Sequence, residues 1–193
     1  MGGEIAQAIA AADIPVVVKD IDQKFVDAAL EKARAVTQGQ LAGQVKKERI
    51  TQEQADARLA EVMGNITGTT SYAEFADVDF VIEAVPEKMG IKQSVFREID
   101  AATPGHAILS SNTSSLSITE MGEATLRADK VVGFHFFYPA SIRARELNMS
   151  ISSWASGSAS PGTFCSPSLK KPSPPLFIPS LPSPTRPRRP SWT

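Results

Sequence analysis

The first 136 residues alternate between short apolar runs and longer stretches in which apolar residues recur at helical spacing. The short runs indicate buried strands, and the longer stretches indicate amphipathic helices. Strands are predicted at 15–19, 66–70, 79–85, 107–111 and 130–136, and helices at 2–12, 23–44, 51–63, 88–101 and 117–124. Strands that alternate with helices are typical of an α/β fold with a doubly wound parallel sheet.

The composition of the chain changes near Ser141. Ten of the fourteen prolines lie beyond residue 160, and from Ile142 onward seven Lys and Arg residues accompany one acid, Glu146. The tail therefore carries a formal charge of +6 and the first 141 residues carry −7. Such a Ser/Pro-rich segment buries too little apolar surface to offset its ordering entropy. We predict a folded domain at 1–141 and a disordered basic tail at 142–193.

Two origins of the tail remain open. Its abrupt start suggests translation out of frame. The alternative is a genuine proline-rich tail, because Pro179–Pro182 and Pro187–Pro190 fit the PxxP pattern of segments that bind polyproline-recognition domains.

Composition also narrows the class of protein. A net charge of −1 gives no excess of positive charge for nucleic acid, and no apolar run reaches the roughly 20 residues that span a bilayer. We therefore expect no nucleic-acid or membrane partner, and a cytoplasmic location because no secretory signal pattern opens the chain. The single cysteine, Cys165, excludes an intramolecular disulfide, and with two histidines no metal site is predicted.

Polar motifs follow two of the predicted strands. Ser111–Ser115 comes at the end of the strand at 107–111, and His135 comes at the end of the strand at 130–136. Because functional residues of open α/β sheets gather at the carboxyl ends of strands, we expect the two motifs side by side. A histidine can exchange a proton near pH 7, and a serine hydroxyl can hold an oxygen in place meanwhile. The alternative is a purely structural histidine.

Four segments in this order resemble the 3-hydroxyacyl-CoA dehydrogenase family: Val81–Glu87, Lys92, Ser111–Leu116 and Gly133–Phe137. The resemblance covers about residues 1–141 and implies a Rossmann-like NAD-binding domain. It implies oxidation of an L-3-hydroxyacyl-CoA to the 3-oxoacyl-CoA with NAD as cofactor, in fatty-acid β-oxidation or short-chain acyl-CoA metabolism.

The resemblance also implies residue roles. His135 matches the catalytic base of the family, and Ser114 matches the serine that contacts the substrate and the nicotinamide. The backbone at Val85 and Pro86 would pass the nicotinamide ribose. Glu87 and Lys92 match residues on the cofactor side, although Lys92 could equally be a solvated helix lysine. Tyr138 stands where the family often has Asn, and it can still donate a hydrogen bond.

The start of the chain resembles the end of a dinucleotide fingerprint. Met1-Gly2-Gly3 matches the last part of Gly-x-Gly-x-x-Gly, which brings a pyrophosphate against a helix N-terminus. Gly2 would be the third glycine, which allows close helix–strand packing, and Met1 and Gly2 are predicted cofactor-binding residues. The first strand and the first two glycines are absent. We therefore predict a sheet that lacks its first strand and leaves two neighbouring strands without hydrogen-bond partners.

Asp20 indicates which dinucleotide is bound. It ends the predicted strand at 15–19, where an acid accepts hydrogen bonds from the adenosine ribose hydroxyls. Because a carboxylate repels a 2′-phosphate, NAD is favoured over NADP. The alternative role of Asp20 is a helix N-cap, for which Asp22 is the more natural residue.

The end of the domain departs from the family. The glutamate that orients the catalytic histidine falls at Leu147 by spacing, one residue from Glu146. The helical domain that completes the acyl-CoA cleft, and forms the homodimer expected for the family, has no counterpart in residues 142–193. We therefore expect impaired activity.

Two other classes of function remain as alternatives. One is a non-catalytic interaction protein with a degenerate Rossmann core and a Pro-rich tail. The other is a different NAD(P)-dependent β-hydroxyacid dehydrogenase, which the two motifs at 111–115 and 135–137 argue against.

Overall fold

The computed structural model describes residues 1–136 and the backbone of residues 151–152 and 176–179. Tyr138, Glu146 and the greater part of the tail lie outside the described residues, so the predictions made for them stay predictions. Within the described part, no helix is both long enough and apolar enough to cross a membrane.

All ten predicted helices and strands occur, with ends within about two residues of the predicted ones. The helices are α1 (Gly2–Ala10), α2 (Gln23–Val45), α3 (Gln52–Gly64), α4 (Met89–Ala102) and α5 (Ile118–Gly122). The strands are β1 (Val16–Lys19), β2 (Ile66–Thr69), β3 (Phe80–Glu83), β4 (Ile108–Ser111), β5 (Val131–Phe134), β6 (Ile151–Ser152) and β7 (Leu176–Pro179).

Side-chain caps explain where two helices begin. Asp22 is the N-cap of α2, and its Oδ1 accepts a hydrogen bond from the backbone N–H of Lys24 at 3.1 Å. Thr51 and Gln54 form the predicted capping box of α3 through reciprocal hydrogen bonds of 3.2 and 2.9 Å. Each cap satisfies a backbone N–H that has no partner within the helix.

The seven strands form one sheet in the order β2-β1-β7-β3-β4-β5-β6. Every neighbouring pair is parallel except β5 and β6, which are antiparallel. The α/β fold with a parallel, doubly wound sheet is therefore confirmed.

The prediction of two strands without partners is wrong. No described strand precedes α1, but β7 lies between β1 and β3 and pairs with both, Leu176 standing opposite Val16 on one side and Phe80 on the other. Backbone N–H and C=O groups in a buried sheet require partners, and Leu176-Phe177-Ile178 supplies an apolar run for this position. β6 and β7 are the described segments of the tail, and the disorder predicted for residues 142–193 stays a prediction.

Both faces of the sheet are covered, because adjacent residues of β3 join different cores. Ile82 packs in a cluster with residues of α1 and α2, whereas Val81 packs with Phe96 and Ile99 of α4. Successive side chains of a strand point to opposite faces, so burial of both residues requires helices on both sides. The polar ends of the strands are thereby left as the accessible edge.

A close contact between two helices occurs at Gly3, whereas the close helix–strand packing predicted at Gly2 stays a prediction. A Cβ added at Gly3 would overlap the carbonyl oxygen of Ala29 in α2. Gly3 thus allows α1 to lie against α2, while the neighbouring Gly2 is also buried.

Candidate functional site

The predicted site residues follow the carboxyl ends of parallel strands. Asp20 follows β1, Val85 follows β3, Asn112 follows β4 and His135 follows β5. Parallel strands end at one edge of the sheet, so the order β1-β7-β3-β4-β5 sets these positions along that edge.

Asp20 lies beside a cavity of about 350 Å³, and its side chain is buried. Its Oδ1 accepts a hydrogen bond from the backbone N–H of Ile21 at 2.7 Å. Since Asp22 caps α2, the alternative role of Asp20 as that cap is excluded. Apolar residues line much of the cavity, among them Ile21, Val85, Ile91 and Val95. A carboxylate at the edge of an apolar slot is suited to a flat aromatic group joined to a hydroxylated sugar.

A charged cluster that sequence analysis missed lies at the same cavity. The Nζ of Lys19 lies 3.9 Å from the centroid of the Tyr72 ring, and the Tyr72 O–H donates to Glu98 Oε2 at 3.0 Å. Burial lowers the pKa of Lys19, and the charges of Glu98 and Asp20 oppose that shift. Burial and Glu98 together raise the pKa of Tyr72 above its usual value, which keeps the phenol protonated.

Glu83 and Lys92 form a buried ion pair beneath the loop that follows β3. The side chains are 0% and 1% exposed, and Lys92 Nζ lies 2.9 and 3.0 Å from the two carboxylate oxygens. The Lys92 ammonium also donates to the Val85 carbonyl at 3.3 Å. Lys92 is therefore not the solvated helix lysine that sequence analysis left as an alternative.

Glu87 lies at the exposed end of this cluster, with 43% of its side chain accessible. Its Oε1 accepts hydrogen bonds from the hydroxyls of Thr113 and Ser115, and its Oε2 lies 3.4 Å from Lys92 Nζ. Burial alone would raise the pKa of Glu87, but these hydrogen bonds and the Lys92 charge outweigh it and lower the pKa. Glu87 therefore presents a negative charge at the edge of the sheet.

Hydrogen bonds shape the turn that carries Ser114. Thr113 Oγ1 accepts from the backbone N–H groups of Ser115 and Leu116 at 3.3 and 3.0 Å. Ser114 itself is exposed at the crest of the turn. The hydrogen bonds of Thr113 therefore fix the backbone of the turn in which Ser114 is exposed to solvent.

A backbone hydrogen bond of Phe136, the residue after His135, connects this segment to the turn. The backbone N–H of Phe136 donates to Asn112 Oδ1 at 2.7 Å. The Phe136 ring stacks edge-on against Phe134, with centroids 5.1 Å apart, and His135 between them is half-buried. The two predicted motifs are therefore adjacent, as their positions after β4 and β5 indicated.

The predicted residues at the start of the chain lie at the beginning of α1. The Met1 carbonyl accepts from the backbone N–H groups of Glu4 and Ile5 at 2.9 and 3.1 Å, and Gly2 is the first residue of the helix. The Glu4 carboxylate is buried and lies 3.3 Å from Lys32 of α2. The start of a helix is in general suited to an anion, and the one acid in the first turn of α1 is paired with a lysine.

Glu83, Lys19 and Tyr72 were not among the predicted site residues. One signal for Glu83 was available, because a carboxylate in an otherwise apolar strand needs a buried partner. No comparable signal pointed to Lys19 and Tyr72, whose contact depends on how β1 and the segment after β2 pack together.

Known proteins are similar to about 74% of this chain. The sequence profile of the 3-hydroxyacyl-CoA dehydrogenase NAD-binding domain matches residues 1–144. The peroxisomal fatty acid beta-oxidation multifunctional protein of Arabidopsis thaliana is 37% identical over 142 residues, which is 74% of this chain and 18% of that protein. The alpha subunit of the fatty acid oxidation complex of Pseudomonas savastanoi is 39% identical over 72% of this chain and 18% of its own length.

A solved structure is also similar to this chain. The crystal structure of (S)-3-hydroxybutyryl-CoA dehydrogenase from Ralstonia eutropha is 39% identical to this chain and superimposes with a TM-score of 0.61. That match covers 72% of this chain and 47% of the other. The site residues at 20, 83–92, 111–115 and 135 lie within the region that the family profile matches. The chain belongs to the 3-hydroxyacyl-CoA dehydrogenase family, through the NAD-binding domain of that family.

Proposed function

We propose that this chain serves in NAD-dependent oxidation of an L-3-hydroxyacyl-CoA to the 3-oxoacyl-CoA. The observation that carries the proposal is the hydrogen bond from the Phe136 N–H to Asn112 Oδ1, 2.7 Å long, which joins the segment bearing His135 to the turn bearing Ser114. This bond supports the proposal because it ties the segment of the proposed proton acceptor to the turn of the proposed hydroxyl donor, at the edge of the sheet where Asp20 and Glu87 also lie.

His135 acts as the general base in this proposal and takes the proton of the 3-hydroxyl group. Ser114 donates a hydrogen bond to the same oxygen and holds it during the transfer. When bound, NAD accepts the hydride that leaves C3 of the substrate. The exposed hydroxyl of Ser114 and the half-buried imidazole of His135 suit a substrate that enters from solvent.

The residues present fit NAD by their chemistry. Asp20 would accept hydrogen bonds from the adenosine ribose, and the apolar residues of the adjacent cavity would enclose the adenine. The start of α1 would face the pyrophosphate through Met1 and Gly2. The backbone of Val85 and Pro86 and the side chains of Glu87, Ser114 and Tyr138 would line the nicotinamide side. Because Lys92 Nζ is paired with Glu83, Lys92 would act on the nicotinamide side of the site through its positive charge.

The reaction class is supported by the relatives, but this chain spans 18% of the length of the Arabidopsis and Pseudomonas proteins compared above. Their activities and their place in fatty-acid β-oxidation are therefore proposals for this chain. The acyl-CoA substrate and the family homodimer both call for a second, helical domain. We infer that residues 1–136 by themselves turn over little substrate.

The compartment is also a proposal. The name of the Arabidopsis relative places that protein in peroxisomes, whereas we propose the cytoplasm for this chain. Detection of the chain in an organelle fraction after cell fractionation would overturn that assignment.

The test compares the two histidines in a chimera with a relative from the same family. Residues 1–141 are joined to the portion of the Ralstonia eutropha enzyme that the alignment leaves uncovered, and reduction of acetoacetyl-CoA by NADH is measured. His135→Ala should reduce turnover about 10²- to 10⁴-fold. His106→Ala is the matched control, because His106 is exposed and paired with Asp79 at 2.8 Å, before β4. Equal turnover by the two variants would refute the proposed role of His135.

A further inference from the structure

The carboxylate of Glu83 contacts three separate segments of the chain. Oε1 accepts from the Val85 N–H at 2.6 Å and from Lys92 Nζ at 2.9 Å. Oε2 accepts from Lys92 Nζ at 3.0 Å and from the Ser111 hydroxyl at 2.6 Å. One buried side chain therefore joins the loop after β3, the first turns of α4 and the end of β4.

Each of these contacts continues to a residue of the candidate site. Lys92 lies 3.4 Å from Glu87 Oε2, and Ser111 begins the turn that carries Ser114. The Glu83 carbonyl also accepts from the Asn112 N–H at 2.8 Å, and Asn112 holds the Phe136 N–H. Glu83 thus lies at the centre of the contacts that connect both motifs.

Stability alone is a weak reason for such a pair. Removing two charges from water costs free energy that their attraction only partly returns, and well-packed apolar residues often replace a buried ion pair without loss of stability. A buried carboxylate with four hydrogen bonds from three segments does restrict how those segments can be arranged. We propose that Glu83 is a positioning residue, which holds Glu87 and the Ser111–Ser115 turn in place for the cofactor and the substrate; this inference rests on the proposed function.

The charges of the cluster show how this positioning works. Glu83 is the nearer partner of the Lys92 ammonium, at 2.9 Å, and Glu87 Oε2 lies 3.4 Å away, while Glu87 Oε1 accepts from Thr113 and Ser115. Without the Glu83 carboxylate, Glu87 is the anion that already lies near Lys92 Nζ. The ammonium would then draw Glu87 away from the two hydroxyls, and the turn would lose the contacts that fix it.

The test uses the full chain and two adjacent serines of β4. Ser111→Ala removes the hydrogen bond to Glu83, whereas Ser110→Ala removes a buried hydrogen bond of 2.7 Å to the Val81 carbonyl and leaves Glu83 intact. Hydrogen–deuterium exchange is measured by NMR at Asn112–Leu116, at Val85 and Glu87, and at Phe136. We expect exchange at these amides to be about tenfold faster in Ser111→Ala than in Ser110→Ala. Equal exchange in the two variants would mean a purely structural role and would overturn the inference.

Glu83→Gln tests the carboxylate directly. It should accelerate exchange over the same residues and weaken NADH binding about tenfold by fluorescence titration, while Ser110→Ala binds as the parent does. Unchanged exchange and affinity in a folded Glu83→Gln variant would also overturn the inference. If Glu83→Gln does not fold, the exchange rates of Ser111→Ala and Ser110→Ala still test whether Glu83 positions the turn. If the parent chain does not bind NADH, the proposed function fails, and the exchange comparison still decides whether Glu83 positions the turn.

Discussion

Asn112 and Phe136 join the ends of β4 and β5 by one hydrogen bond, in which the Phe136 N–H donates to Asn112 Oδ1 at 2.7 Å. The bond links two motifs that are 24 positions apart in the sequence. It also ties the segment that carries His135 to the turn that carries Ser114.

Replacing Asn112 should therefore separate the two motifs. Asn112→Ala leaves the Phe136 N–H without its acceptor, so we expect a loss of about 1 kcal/mol in the free energy of unfolding. Turnover by the chimera described above should fall more than this loss of stability accounts for. Asn65→Ala is the control, because Asn65 makes a long hydrogen bond of 3.4 Å to Ala10 far from the site. Equal turnover by the two variants would contradict the role of Asn112.

The choice of dinucleotide should depend on Asp20. The parent should bind NAD more tightly than NADP, and Asp20→Ser should narrow or reverse that preference because it removes the charge that repels a 2′-phosphate. Fluorescence titration with both reduced cofactors measures the ratio. Asp22→Ala is the matched control, since Asp22 caps α2 and should affect stability by about 1 kcal/mol without changing the ratio. Tighter binding of NADP by the parent would refute the assignment.

The buried ion pair of Glu83 and Lys92 predicts non-additive changes in unfolding free energy in a double-mutant cycle. Lys92→Met leaves the Glu83 carboxylate buried and unpaired, and should cost about 3–5 kcal/mol of unfolding free energy. The double variant Glu83→Gln/Lys92→Met has no charge left to bury and should recover most of that loss. Denaturant unfolding of the parent, both single variants and the double variant gives the coupling. Additive losses would show that the two side chains do not act as a pair.

Glu87 should make stability depend on pH in one direction. Its pKa is lowered in the folded chain from the ordinary value of 4.5. The folded state therefore binds this proton less readily than the unfolded state, so the stability contributed by Glu87 is complete above pH 4.5 and is lost as the pH falls through the lowered pKa. Urea unfolding between pH 3 and pH 6 should show a weaker acid dependence in Glu87→Gln than in the parent. Identical profiles would contradict the shift.

Removing β7 should weaken the sheet. Ending the chain before Leu176 takes away the partner of both β1 and β3, at roughly 1 kcal/mol for each backbone hydrogen bond lost. A chain that ends after residue 180 retains β7 and serves as the control. Thermal unfolding followed by circular dichroism should distinguish the two truncations. An equal midpoint for both would show that the strand adds nothing to stability.

Local signals predicted much of this structure. Asp22 and the Thr51–Gln54 box cap helices through contacts within three residues, so composition and spacing were enough to place them. The adjacency of the turn at 111–115 and His135 also followed from sequence, because parallel strands end at a common edge.

Contacts between distant segments could not be read in this way. The pairing of Glu83 with Lys92 depends on how α4 lies over the end of β3, and the cluster of Lys19, Tyr72 and Glu98 joins three separate segments. The position of β7 depends on its pairing with β1 and β3, which are far away in the sequence, and neither the periodicity nor the composition of the tail describes that pairing.

The central place of β7 has a consequence for the order of folding. Val16 and Leu176 are about 160 positions apart along the chain, and closing a loop of that length costs entropy before any pairing is gained. During synthesis, β1 and β3 leave the ribosome long before their shared neighbour exists, with their facing edges open. The middle of the sheet is thus completed after its flanks, and in that interval the unfinished edges are exposed to chaperones and to other nascent chains.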